Sequence, residues 1–156
     1  MSKDKIPGLW PLMAAPERMD DDIRKYEEIG THPAANYLAI GEALTFHQGI
    51  GAKRKEARLR FLRDYWAKAL LDRGGFRLHT SLDPAFSCGI GNIQMEGVDS
   101  RALSDWLWDR FRIITVAIKH PEFEGIRVTA SVYTTLQELD RFVDAMAEGA
   151  RNGVPA

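Results

Sequence analysis

The sequence predicts an α+β fold, a small and mostly antiparallel sheet with helices packed against it, following an irregular N-terminal segment. Three observations predict it. Two stretches with helical apolar spacing, residues 33–48 and 53–72, each run into glycine. Short strand-like stretches recur at residues 76–80, 86–95, 113–118 and 126–132. A capping box, Thr135-x-x-Glu138, opens a final amphipathic helix. The resulting order is α-α-β-β-α-β-β-α, which suits helices layered on a small sheet.

Residues 1–32 read as irregular. Pro7, Pro11 and Pro16 interrupt them, and each proline lacks a backbone donor and restricts the residue before it. Trp10, Leu12 and Met13 are apolar enough to be expected against another surface. The first helix takes Pro33 in its opening turn and stops at Gly49, with Leu38, Ala39, Ala43 and Phe46 as its stripe. In the second, Leu59, Leu62, Trp66, Ala69 and Leu70 fall on one arc, and Gly74-Gly75 ends it.

Leu82-Asp83-Pro84 marks a turn between the first two strands, and Gly89 and Gly91 loosen the second. Asp99 or Ser100 caps a helix carrying Leu103, Trp106 and Leu107. The β-branched run at residues 113–118 predicts a buried strand. After a connection at residues 121–125 comes the last strand. The closing helix then shows Leu136, Leu139, Phe142, Val143 and Met146 on one face.

Composition narrows the function classes. A chain of 156 residues is most simply one domain, and 45% hydrophobic with 28% charged residues is ordinary for a globular protein. A formal net charge of −1 gives no global attraction to nucleic acid or to anionic membrane. No apolar run approaches the roughly 20 residues of a membrane helix. Residues 1–5 are polar and lack a signal-peptide core, and the one cysteine, Cys88, excludes an intrachain disulfide. The expected location is cytoplasmic.

The residue that stands out chemically is Arg127. A guanidinium presents a planar fork matching a carboxylate's two oxygens, and arginine is unusual inside a β-branched run. Either it faces a pocket and clamps a carboxylate, or it points to solvent or pairs with Glu122 or Glu124. The four histidines, His32, His47, His79 and His120, show no i, i+4 spacing, so no metal site is expected. Cys88, with no base beside it, reads as core. The basic run Lys53, Arg54, Lys55, Arg58, Arg60 and Arg63 scatters around the helical wheel and reads as a solvated face, not a phosphate-tracking one.

Several segments resemble, in order, class V aminotransferase-like proteins, and especially the isopenicillin N epimerase-like branch of these pyridoxal-phosphate enzymes of fold type I. They are Gly30-Thr31-His32-Pro33, Ile50-Gly51 with Arg58-Leu59, Leu82-Asp83-Pro84, Ser87-Cys88-Gly89-Ile90 and Gly125-Ile126-Arg127-Val128-Thr129. The last continues into Tyr133-Thr134-Thr135 and Glu138-Leu139-Asp140-Arg141-Phe142. The resemblance covers nearly the whole chain. It implies that Arg127 binds the α-carboxylate of an amino-acid substrate. It also implies that Thr31, with His32 beside it, meets the cofactor phosphate of a neighbouring subunit in a homodimer.

By the same resemblance, residues 1–32 match the end of a large domain, residues 33–150 its C-terminal small domain, and residues 151–156 a tail. The family's cofactor lysine belongs to the large domain, and nothing here resembles its setting. The expectation is therefore a chain without catalytic residues of its own, inactive alone and dependent on a large-domain partner. The alternative is a free-standing module, derived from that domain, that binds a carboxylate or a protein.

Overall fold

A computed structural model describes residues 2–13, 15–27, 29–31 and 33–155. It divides into two compact units, residues 1–47 and 48–156.

The first unit holds short 3₁₀ turns at Lys3–Lys5, Glu17–Met19 and Ile23–Glu27, and most of helix α1, Ala34–Ile50. Two buried residues organise the turns. Ile6 is buried, and the Lys25 ammonium, itself buried, donates to the carbonyls of Ile6 at 2.6 Å and Asp20 at 2.9 Å. The Tyr26 hydroxyl donates to the carbonyls of Ile6 and Leu9. The surface expected against Trp10 and Leu12 is not supplied by the described residues. Trp10 is 94% exposed and Leu12 89% exposed. The stripe of α1 is uncovered as well, since no residue of that helix is buried. Helical spacing reports that a face is apolar. It does not supply the layer that covers it.

In the second unit the elements are α2 (Ala52–Leu71), β1 (Phe76–Leu78), β2 (Ile90–Met95), α3 (Ser100–Phe111), β3 (Val116–Lys119), β4 (Glu124–Thr129) and α4 (Leu136–Asn152). With α1, this is the predicted order. The strands form one sheet, β1-β2-β4-β3, antiparallel throughout.

Alternation along the strands decides what is inside. Ile93 and Met95 on β2, Phe76 on β1 and Ile126 on β4 join Leu62, Trp66 and Leu70 of α2, Leu103 and Leu107 of α3, and Phe142 and Met146 of α4 in one core. Gly91 lies on the same side. A Cβ there would stand 2.6 Å from Cζ2 of Trp66, so the backbone of β2 lies directly against the indole.

Several strand boundaries differ from the sequence reading, and three of the shifts have a clear local reason. Strand β2 begins at Ile90 because residues 83–88 curl. The amide of Ala85 donates to the Asp83 carboxylate, that of Phe86 donates to the Asp83 carbonyl, and Phe86 is 80% exposed. Strand β3 begins at Val116 because the first residues of the apolar run stop α3. Arg112 turns left-handed with φ 56°, and the amide of Ile113 donates to the Leu107 carbonyl. Strand β4 ends at Thr129 because residues 131–134 close on themselves, Thr134 donating to the Ser131 carbonyl and Ser131 to the Thr134 hydroxyl.

The apolar run at 113–118 was expected to be a buried strand, yet β3 lies at the edge of the sheet and none of its residues is buried. Serines of α3 blunt that edge. Ser104 Oγ donates to the Thr115 carbonyl at 3.1 Å and Ser100 Oγ to the Ile118 carbonyl at 3.4 Å. Backbone acceptors that could recruit another strand are thereby engaged.

Both predicted caps form. Asp99 accepts from the amides of Arg101 and Ala102, and Thr135 and Glu138 complete their reciprocal box. The Asp99 carboxyl is held down at about 2, chiefly by the Lys119 ammonium at 2.8 Å and then by the amides of α3. A carboxylate depressed in the folded state contributes stability above its unfolded value, near 3.9, and loses it as pH falls toward 2. Urea midpoints are expected to drop between pH 4 and pH 2. Asp99→Asn, which still caps, should flatten part of that drop. An identical acid profile in the variant would remove Asp99 from the account.

Candidate functional site

Ile126 points into the core, so its neighbour Arg127 points the opposite way, onto the sheet face away from the helices. β4 is an inner strand, flanked by β2 and β3. The Cα partners of Arg127 are Asn92 on β2 and Val116 on β3. Its side chain is exposed, and no ion pair or hydrogen bond engages it among the described residues. Of the readings open from sequence, a pair with Glu122 or Glu124 is therefore not made. The Glu124 carboxylate instead accepts from the Ser100 amide.

The surroundings of Arg127 are mixed. Ile90, 55% exposed, and Val116, 40% exposed, supply apolar surface on the same face, with Thr129 opposite Ile90. Toward one end, His79 shares a hydrogen bond with Gln94 at 3.0 Å and stands against Phe123, on which His120 stacks at 5.1 Å. A guanidinium set among aliphatic and hydroxyl groups suits a small molecule with a carboxylate and an aliphatic body.

Asn92 was not singled out from the sequence. Its amide nitrogen and oxygen are both buried without a hydrogen-bond partner. Period-two counting outward from Ile93 and Met95 would have placed it on the face of Arg127. Only the register sets the two residues side by side.

The basic run of α2 also behaves differently from expectation. Arg63 is buried, 1% exposed, and not solvated. It pairs with Asp64 at 2.6 Å and donates to the Ser87 hydroxyl and the Leu82 carbonyl. Arg60 donates to the carbonyls of Pro84 and Ser87, and Arg58 to that of Thr134. These arginines bind carbonyls of the segments that lead into β2 and α4. Cys88, expected in the core, is half-buried.

Thr31 is exposed and follows Gly30, whose φ of 83° makes the turn. It belongs to the first unit and Arg127 to the second. His32, the other residue assigned to the cofactor, lies outside the described residues.

The isopenicillin N epimerase of Streptomyces clavuligerus is 34% identical over 125 residues, 80% of this chain and 31% of that protein. The isopenicillin N epimerase of Amycolatopsis lactamdurans is 30% identical over 129 residues, 82% of this chain and 32% of that protein. The chain is a relative of the isopenicillin N epimerases, class V aminotransferase-like proteins. It spans about a third of the length of these curated relatives. The crystal structure of the cysteine desulfurase CsdA from Escherichia coli matches with a TM-score of 0.67 at 20% identity. That match covers 80% of this chain and 32% of the desulfurase, and it establishes the shared fold. No family model matches.

The open face around Arg127 does not by itself fit pyridoxal phosphate. The cofactor needs a lysine amine free to form a Schiff base. The open face around Arg127 carries no lysine among the described residues. The buried Lys25 of the first unit has its ammonium engaged by two carbonyls. What the face does present is the unengaged guanidinium of Arg127 beside Ile90, Val116 and Thr129. No helix among the described residues is long and apolar enough to cross a membrane.

Proposed function

We propose that this chain acts as the C-terminal small domain of a pyridoxal-phosphate-dependent, class V aminotransferase-like enzyme and that Arg127 clamps the carboxylate of its amino-acid substrate. The observation that carries the proposal is an unpaired guanidinium on an inner strand, facing away from the core. A buried or half-buried charge is normally paired, and an exposed, unengaged fork on a rigid strand is positioned for an incoming anion. Kinship with the isopenicillin N epimerases supports the substrate class, because an amino-acid substrate of such an enzyme carries the carboxylate that a fork would bind.

In this reading the Schiff-base lysine comes from a large-domain partner chain, and the uncovered apolar residues Leu38, Ile40, Leu44 and Phe46 of α1 meet that partner. Thr31 and His32 approach the cofactor phosphate of a second subunit in a homodimer. The isolated chain is a binding arm without catalytic residues. The bare surface of α1 also favours a second reading, a free-standing module whose partner is another protein.

The purified chain mixed with pyridoxal phosphate, reduced with borohydride and weighed intact separates these ideas from a complete site. Free-cofactor absorbance and an unmodified mass are expected. A trapped pyridoxyl adduct on one lysine would overturn the dependence on a partner. Co-expression with the large domain of an epimerase relative is expected to yield a complex that retains cofactor, and failure of any complex to form favours the free-standing module. Within such a complex, Arg127→Gln should raise the KM for the amino acid by roughly 10–100-fold, the loss of about 1.5–3 kcal/mol in charge-assisted bonding.

A further inference from the structure

We infer that Asn92 is the positioning partner of Arg127, accepting a guanidinium N–H at its amide oxygen so that the fork meets a carboxylate in a set orientation. The inference deepens the proposed carboxylate site and rests on it. Three observations converge on this residue. Asn92 and Arg127 are direct Cα partners on neighbouring strands, so both side chains rise from the same spot on the open face. Both polar atoms of the Asn92 amide are buried and unpartnered, so an amide flip changes nothing. The adjoining strand makes room for this amide with Gly125, where a Cβ would stand 2.6 Å from Asn92 Oδ1.

An amide orphaned in this way costs free energy in the unliganded chain, and a native structure keeps such a group for a reason. The backbone of Asn92 needs nothing more from it, since its amide donates to Thr80 Oγ1 and its carbonyl accepts from His79. Across the strand stands a guanidinium with five donors, none of them engaged. A carboxylate occupies two of these on one edge of the fork and leaves three. An acceptor fixed beside the stem of Arg127 takes one of the three and selects the rotamer in which the fork lies along the sheet. Asn92 therefore acts through Arg127 and contacts the substrate only by way of it.

The test is an NMR titration of the full chain with sodium propionate against a sodium chloride control, reading the Nε–H cross-peak of Arg127. The cross-peak of Arg77, exposed on the same face, serves as bystander. Saturable movement of the Arg127 signal is expected, with the Arg77 signal unmoved. Asn92→Leu removes the orphaned amide at similar volume and should raise the urea midpoint while weakening propionate at Arg127 at least fivefold. Asn92→Ala, which cannot overpack the site, should weaken it equally. Unchanged affinity in both variants overturns the role of Asn92 and leaves the carboxylate site standing. A wild-type chain whose Arg127 signal follows only the chloride control overturns the carboxylate site and this inference together.

Discussion

Trp66→Ala is expected to lower the stability of the chain by about 3–5 kcal/mol, the cost of emptying a fully buried aromatic site. Domains commonly hold only about 5–15 kcal/mol in total, so this single change approaches unfolding. The indole of α2 lies against two other elements. It meets Phe142 of α4 edge-on at 5.7 Å, and the backbone of Gly91 on β2 rests against it. Urea denaturation should show the midpoint fall with an unchanged slope. The Trp66 N–H has no hydrogen-bond partner, so Trp66→Phe forfeits packing alone and should cost much less. Gly91→Ala drives a Cβ into the ring and should cost about 1–3 kcal/mol by overpacking. Combined with Trp66→Ala, that cost should shrink, because the clash disappears with the ring. Strict additivity of the two would mean that β2 does not lie on the indole.

Arg63→Met should cost about 3 kcal/mol, and its effect should reach the open face. The buried guanidinium holds Asp64, the Ser87 hydroxyl and the Leu82 carbonyl at once, and Ser87 also donates to the Ser81 carbonyl. These contacts pin residues 81–87 to α2. That loop starts beside Thr80, whose hydroxyl accepts from the Asn92 amide. Methionine keeps most of the length and apolar bulk but leaves the carbonyls without their donor. Hydrogen exchange at residues 83–89 should accelerate well beyond the global change, and the Asn92 amide should lose protection next. Exchange that rises uniformly across the chain would show that Arg63 stabilises the fold without specially holding this loop.

Local chemistry explains why so much of the fold was legible in the sequence. A cap such as Thr135 with Glu138, or Asp99 before α3, joins groups two or three residues apart, and the stripes of α2 and α4 need only helical periodicity. The resemblance to class V aminotransferase-like proteins lay in short ordered motifs, and kinship with the isopenicillin N epimerases bears it out. Strand ends were legible only approximately. Arg112 and the curl at residues 83–88 divert chain that is β-prone by composition, and hydrogen bonds of the folded backbone decide where pairing begins.

From the sequence alone came the α+β class, the element order, both caps and the presence of Arg127 in a strand, because each follows from contacts within a few residues or from period-two and period-3.6 patterning. Tertiary structure alone decided that β4 is an inner strand, that Arg127 looks away from the core without an ion-pair partner among the described residues, and that Asn92 stands beside it. It also decided that Arg63 is buried and that the stripe of α1 is not covered. The physical reason is separation along the chain. Arg63 meets Ser87 24 residues away, Arg58 meets Thr134 76 residues away, and Asn92 meets Arg127 through the register of two strands with α3 and β3 between them. Such partners exist only once the sheet has closed, so no local pattern announces them.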